Sequence, residues 1–281
     1  MIRPEWTAIQ EKYLQQLSPE HQQFYKTYVD RDCKSISDSS IVEQGTQEWL
    51  DMRKPLLTAS NYSSAVGWNP FVSSKSELVK KICYVPFKGN AATKYGNAME
   101  SRACKQFEFE HRELVWKAVL EAKELKKTQI EYGGMMHDVP QWILESKKRV
   151  SDRSLLFVRN SGLHIHPVYK QLAYSPDGVI VLFGHEVGLL EIKCPYRNKY
   201  PYPLLPQYYY CQLLGGCFVM NLPFQYFYVW SEKKTTCERF DFDEWIWTME
   251  VFPKLMDFYF KHLLPELTIK NNRSSSKQSR T

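Results

Sequence analysis

The sequence has no Cys-x-x-Cys pair, no internal repeat and no apolar run of membrane-spanning length. Its seven cysteines (Cys33, Cys83, Cys104, Cys194, Cys211, Cys217 and Cys237) are scattered and odd in number. A zinc ribbon, a redox dithiol and a secreted disulfide framework are therefore not expected, whereas reduced thiols of a cytosolic or nuclear protein are. The richest apolar stretch, "LLGGCFVMNLPFQYFYVW", is broken by Gly and Pro, so no membrane partner is expected. The opening "MIRPEWTAIQ" is charged and lacks a hydrophobic signal core, which points to an intracellular, non-secreted protein. A large excess of one charge is lacking as well, with 37 Lys and Arg against 31 Asp and Glu. A net charge of +6 permits a polyanionic partner without requiring one.

What is present is a large apolar fraction. Hydrophobic residues make up 43% and aromatics 15% of 281 residues, enough for one large domain with a substantial core. Residues 1 to about 30 read as two helices, the second opened by Ser18 and Pro19 as cap and first-turn residue. "RDCKSISDSS" reads as a linker. The expected division is an N-terminal helical extension (1–40), a main domain (41–268) and a disordered basic tail (269–281).

Within the main domain, "GTQEWLDMR", "TASNYSSAVG" and "SKSELVKKI" read as short helices, the last with a capping box of Ser74 and Glu77. "NAATKYGNAMESRACKQFEFEH" reads as a longer helix. Residues 113–160 are ambiguous, because "ELVWKAV" suits both helix propensity and strand alternation. From Leu155 the pattern turns to strands: "LLFVRN", "LHIHPVYK", "LAYSPDGVIVLF" and "GLLEIKCPY". Gly184 and Gly188 suggest the turn between the last two. "PQYYYCQLLGGCFVM" reads as a helix, "FQYFYVWSEK" and "TTCERFDF" as a second hairpin, and Asp243 as the cap of a final helix kinked near Pro253.

The stretch "YSPDGVIVLFGHEVGLLEIKCPY" carries chemistry. A hairpin turn in its middle brings Asp177 beside Glu191, and strand alternation puts Lys193 on the face of Glu191. Ile192 between them points into the core while its carbonyl is free to face the acidic pocket. Converging carboxylates repel and call for a cation, and oxygen ligands in this number suit Mg²⁺ or Mn²⁺. A lysine next to metal-bound water orients it, or accepts its proton if the ammonium pKa is lowered. Such a site is suited to phosphodiester hydrolysis. Removing either carboxylate is expected to leave the fold intact. Each half has a plainer reading. Pro-Asp-Gly is a common turn, and Glu-x-Lys is an ordinary solvated strand face. His164 and His166 in "HIHP" have metal-ligand spacing, but ordinary strand histidines are expected in the absence of further ligands. "YPYPLLPQYYY" suits base stacking or a Pro-punctuated loop entering a core helix.

In order along the chain, "EQGTQEWLDMRKPLLTAS", "YGNAMESRACKQFEF", "YSPDGV" and "GLLEIKCPY" resemble the phage lambda exonuclease and YqaJ-type viral recombinase family of PD-(D/E)xK nucleases. The resemblance runs from about residue 43 to 230. It implies a restriction-endonuclease-like α/β core, a central mixed sheet flanked by helices. It also implies a Mg²⁺-dependent 5′→3′ exonuclease acting on double-stranded DNA from 5′-phosphorylated ends in recombination or end processing, with two metal ions. Carried over by position, Asp177, Glu191, the Ile192 carbonyl and Glu100 would hold metal, and Lys193 would act on the attacking water. Gln212 would sit beside the site, where the family usually shows two glutamines and one is matched. Arg53, Ser60 and Ser175 would meet the terminal 5′-phosphate. A single-strand annealing protein is the implied partner.

In the phage enzyme three subunits form a ring around DNA. The first 40 residues and the stretch 110–165 are longer here, so a ringless form like that of herpesvirus-type alkaline nucleases stands beside a trimer as an expectation. Two other functions remain open: a structure-selective DNA or RNA endonuclease of the same fold, and a non-catalytic DNA-end binding module. A Cas4-type iron–sulfur nuclease is not expected, since no clustered C-terminal cysteines exist.

Overall fold

The structure is a computed structural model that describes residues 3–30, 39–86, 89–196 and 205–278. Its centre is a five-stranded mixed sheet of β4 (Leu156–Arg159), β7 (Gly178–Leu182), β8 (His185–Lys193), β9 (Phe224–Trp230) and β10 (Thr235–Asp241). The order is β10-β9-β8-β7-β4, with β8 and β9 parallel and the other pairs antiparallel. A parallel pair needs a crossover, and the helix Gln207–Met220 supplies it. That helix packs on one face of the sheet, and the long helix Ala91–Glu124 packs on the other. β1 (Leu57–Thr58), β5 (His164–Ile165) and β6 (Leu172–Tyr174) form a second small sheet. β2 (Gln129–Tyr132) and β3 (Met135–Asp138) form a separate hairpin.

Alternation along β8 divides the core. Leu189 joins a cluster with Cys211, Leu214, Tyr62, Trp247 and Phe252. Leu190 and Ile192 point the other way, into a cluster with Phe107, Val115, Phe224 and Tyr228. The boundary expected at residue 40 is not a packing boundary, because Trp6, Phe24, Tyr25 and Val29 are buried in the first cluster. Trp6 donates its indole N–H to Thr248 Oγ1 (3.0 Å), and Tyr25 OH donates to the buried Gln171 (2.8 Å).

Several expectations need correction. The linker at 31–40 lies outside the described residues apart from Ser39 and Ser40, which begin a 3₁₀ turn. The segment 113–124 continues the long helix, and the strand-like part of the ambiguous region falls later, in β2 and β3. Ser74 caps its helix through the Glu77 amide (3.1 Å), but the Glu77 carboxylate reaches back to Ser73 N–H (2.8 Å) and not to Ser74. The last helical rod, capped by Asp243 as expected, carries two π-helical turns, Trp247–Val251 and Tyr259–Leu263. The first lies just before Pro253, whose ring nitrogen has no hydrogen to complete a regular turn. The tail expected to be disordered from 269 is helical to Gln278. Among the described residues no helix is long and apolar enough to cross a membrane.

Candidate active site

The β7–β8 hairpin turns at Phe183 and Gly184, both at positive φ, as a tight two-residue connection requires. Gly184 is therefore the turn glycine, and Gly188 is not. Gly188 lies inside β8 opposite Ile180, next to a bulge that leaves Val187 between the pairs Ile180–Gly188 and Val181–Glu186. The Pro-Asp-Gly segment is not a reverse turn either. Gly178 opens β7, and a Cβ there would lie 2.2 Å from Val158 of β4. Glycine is required by this close approach, and it lets Asp177 stand at the strand's entrance.

Gly178 pairs with Leu190, so the next rung sets Asp177 opposite Glu191. Asp177 Oδ2 accepts the Ile192 N–H at 2.7 Å. Glu191 is 2% exposed, and both of its oxygens are engaged. Oε2 accepts the Tyr174 hydroxyl (2.8 Å), while Oε1 accepts Gln212 Nε2 (2.7 Å) and the Lys193 ammonium. Lys193 also lies 5.3 Å from the centre of the Tyr209 ring. Glu100, on the long helix, has its acid pKa raised, first by burial; Lys193 opposes the shift and Glu191 adds to it, which makes Glu100 an electrostatic neighbour of this group.

Burial and then Glu191 push the Asp177 carboxyl well above its usual range, against the pull of Lys193. For Lys193, burial disfavours the ammonium, but the Glu191 and Asp177 carboxylates outweigh it and the pKa is raised. In this arrangement the ammonium is held as a charge by its carboxylates. It stands on Glu191 as a cation would.

The donors fit a hard divalent cation in kind: two facing carboxylates, a third nearby and a strand carbonyl. They are not a finished cage. Among the described residues no three His, Cys, Asp or Glu side chains stand together closely enough to hold a metal. Glu191 Oε1 and Asp177 Oδ2 are turned to protein donors instead.

A second subsite adjoins the first. A small pocket of about 80 Å³ is lined by Gln44, Trp49, Arg53, Thr58, Ser60, Tyr174, Ser175 and Gln212. Trp49 and Arg53 lie four residues apart on the helix Gln47–Arg53, hence on one face. The guanidinium stacks 3.9 Å over the Trp49 ring and donates to Thr58 Oγ1 (3.2 Å). Thr58 Oγ1 in turn lies 3.3 Å from Ser60 Oγ, and Trp49 Nε1 donates to Ser175 Oγ (3.1 Å). Burial alone pushes Arg53 down to about 10, and among the described residues it forms no ion pair. All three residues expected at a terminal phosphate therefore line one pocket, and Gln212 borders it while bonding Glu191.

Some residues of this region left no mark in the sequence. Gln44 donates to the carbonyls of Ser161 and Pro176 (both 2.8 Å), tying down the segment before Asp177. Tyr174 and Gln225 were not anticipated, although Tyr174 adjoins Ser175 in the motif. His166 is a structural histidine, as expected: its Nδ1 accepts the N–H groups of Val168 (3.1 Å) and Tyr169 (3.0 Å).

The chain is similar in structure to an alkaline exonuclease, LHK-Exo, from Laribacter hongkongensis, at 18% identity and a TM-score of 0.48 over 84% of this chain and 99% of that one. Against LHK-Exo in complex with dAMP the identity is 18% and the TM-score 0.50, over 82% of this chain and 99% of that one. At such identity the likeness speaks for the fold, a mixed sheet flanked by helices of the PD-(D/E)xK kind. No curated protein matches the sequence. The model of the YqaJ-like viral recombinase domain matches residues 48–221, a span that holds Arg53, Glu100, Asp177, Glu191, Lys193 and Gln212, and by that match over more than half its length the chain belongs to the YqaJ-like viral recombinase family.

Proposed function

We propose that the protein is a divalent-metal-dependent nuclease that degrades double-stranded DNA in the 5′→3′ direction from 5′-phosphorylated ends. The observation that carries this reading is the shared wall of the two subsites. A guanidinium with no carboxylate partner among the described residues, flanked by hydroxyls, lies one residue, Gln212, away from the buried carboxylate Glu191. A buried cation without an anion is costly. A terminal phosphate, with more negative charge than an internal diester and oxygens set for a planar fork, would complete Arg53. The family and the exonuclease activity of the structural neighbour support the reading.

In this reading Arg53, Ser60, Ser175 and Thr58 bind the 5′ end and set the next phosphodiester beside Asp177 and Glu191. Asp177, Glu191, Glu100 and the Ile192 carbonyl would hold Mg²⁺ or Mn²⁺. When bound, such ions lower the pKa of water and offset charge on the phosphate. Lys193, beside Glu191, would act on the attacking water, orienting it or taking its proton, and would stabilise negative charge. Gln212 holds Glu191 and the pocket wall in register. The single strand left behind is what an annealing protein would take up in recombination.

The test uses linear duplex with either a 5′-phosphate or a 5′-hydroxyl, each strand end labelled separately, and covalently closed circles. Each is incubated with Mg²⁺, Ca²⁺ or EDTA. Release of mononucleotides from 5′-phosphorylated ends in Mg²⁺ alone is expected. Loss from 3′ ends, equal rates on both 5′ ends, or cutting of closed circles would overturn it.

A further inference from the structure

Tyr174 is 1% exposed, and its one hydroxyl proton is given to Glu191 Oε2. An ionised carboxylate only accepts, so the tyrosine oxygen is left to accept a bond itself. Gln225, fully buried on β9, provides it through Nε2. This fixes the Gln225 amide with its Oε1 turned away, where among the described residues no protein group donates to it. The reverse orientation would satisfy Oε1 but draw the tyrosine proton away from Glu191. A buried acceptor left unpaired is costly, so the arrangement keeps the Tyr174–Glu191 bond at the expense of a local defect.

The helix Gln207–Met220 makes room for the pair. A Cβ on Gly216 would lie 2.8 Å from Gln225 Oε1 and 2.8 Å from the Tyr174 ring. Three elements thus converge on two buried side chains: β6, β9 and the crossover helix.

We propose that Tyr174 and Gln225 form a positioning relay for Glu191, in which Gln225 aims the tyrosine hydroxyl so that Oε2 is pinned and Oε1 is presented to Lys193, Gln212 and a divalent cation. The relay deepens the nuclease reading and rests on it. A group that orients a ligating carboxylate from behind usually alters metal affinity or activity by about tenfold or more. Gln225 acts only through Tyr174, so its effect should vanish once the hydroxyl is gone.

The test compares wild type, Tyr174→Phe, Gln225→Leu and the double variant. Mn²⁺ affinity is measured by calorimetry on DNA-free protein, and kcat and KM are measured on 5′-phosphorylated duplex. Tyr174→Phe is expected to weaken Mn²⁺ binding by about tenfold and to lower kcat with KM for DNA unchanged. Gln225→Leu is expected to show a smaller change in the same two quantities, and the double variant to match Tyr174→Phe alone. Wild-type Mn²⁺ affinity in Tyr174→Phe, or effects that multiply in the double variant, would overturn the relay. Should Tyr174→Phe fail to fold, Gln225→Leu decides, and unchanged Mn²⁺ affinity there overturns it equally. A wild-type protein that neither binds Mn²⁺ nor cuts DNA would remove the nuclease reading, and the relay with it. That result is told apart from failure of the relay alone because it appears before any substitution.

Discussion

Asp177 and Glu191 face each other across one rung of the sheet, yet their neighbours treat them differently. Asp177 is disfavoured as an anion by burial and by Glu191. Glu191 is held by Tyr174, Gln212 and Lys193. Asp177→Ala should therefore abolish cleavage and leave the apo protein as stable as before or more so. Glu191→Ala should also abolish cleavage but lower stability by about 1 to 3 kcal/mol, because the Tyr174 hydroxyl, the Gln212 amide and the Lys193 ammonium lose their common acceptor. Urea denaturation of the two metal-free variants checks the contrast, and equal stabilities would refute it. The mutual repulsion of the pair was legible in the sequence, and Gln212 through the family resemblance; Tyr174 and Gln225, from separate elements, were not. Arg53 is the other residue whose role is testable alone. Loss of its charge-assisted contact, about 1.5 to 3 kcal/mol, should remove a preference of roughly tenfold or more for 5′-phosphorylated over 5′-hydroxyl ends. Arg53→Lys should recover only part, keeping the charge and losing both the fork and the stacking on Trp49. Initial rates on the two ends measure it.

Among the elements, β8 has the narrowest tolerance. It carries Glu191 and Lys193, and its Gly188 lies against the fully buried ring of Phe224, where a Cβ would come within 2.4 Å. Gly188→Ala must displace the ring or the strand. Overpacking of this kind costs about 1 to 3 kcal/mol, and a shifted β8 would also misplace the carboxylate. The variant is expected to lose both denaturation midpoint and kcat; a change in neither would show that the ring yields freely. This glycine was read from sequence as part of a turn because its partner, Phe224, is 36 positions further on and belongs to the strand that pairs in parallel with β8. Local signals did identify Gly184 and the crossover helix, which depend on near neighbours, whereas "LAYSPDGVIVLF", read as one strand, divides into β6 and β7 of different sheets. The π turns were hidden because packing, and not propensity, sets them.

At the scale of the molecule, two histidines tie stability to pH. Burial pushes His166 down to about 3 and His111 down to about 4, and both rings are closely stacked, His166 on Phe218 and His111 on Phe107. His166 must also stay unprotonated at Nδ1 to accept two amides. A histidine whose folded pKa lies below its unfolded value stabilises the fold fully above about 6.5, and that contribution is lost as pH falls through 6.5 toward 4 and 3. Each should cost about 1 to 2 kcal/mol at pH 5, so the urea midpoint should fall between pH 7 and pH 5, and less steeply in His111→Phe. Identical pH dependence in wild type and His111→Phe would show that the His111 ring does not titrate on unfolding. The whole was only partly legible in advance. The sheet and its flanking helices follow from patterning, whereas the seating of Trp6 against Thr248 follows from nothing nearby in sequence. That contact spans 242 positions and has a consequence for biosynthesis. At roughly 5 to 20 residues per second, Trp6 leaves the ribosome about ten seconds to a minute before its partner does. During that interval Trp6, Phe24 and Tyr25 have no complete seat, which makes the nascent amino-terminal helices natural clients for a chaperone that binds aromatic segments.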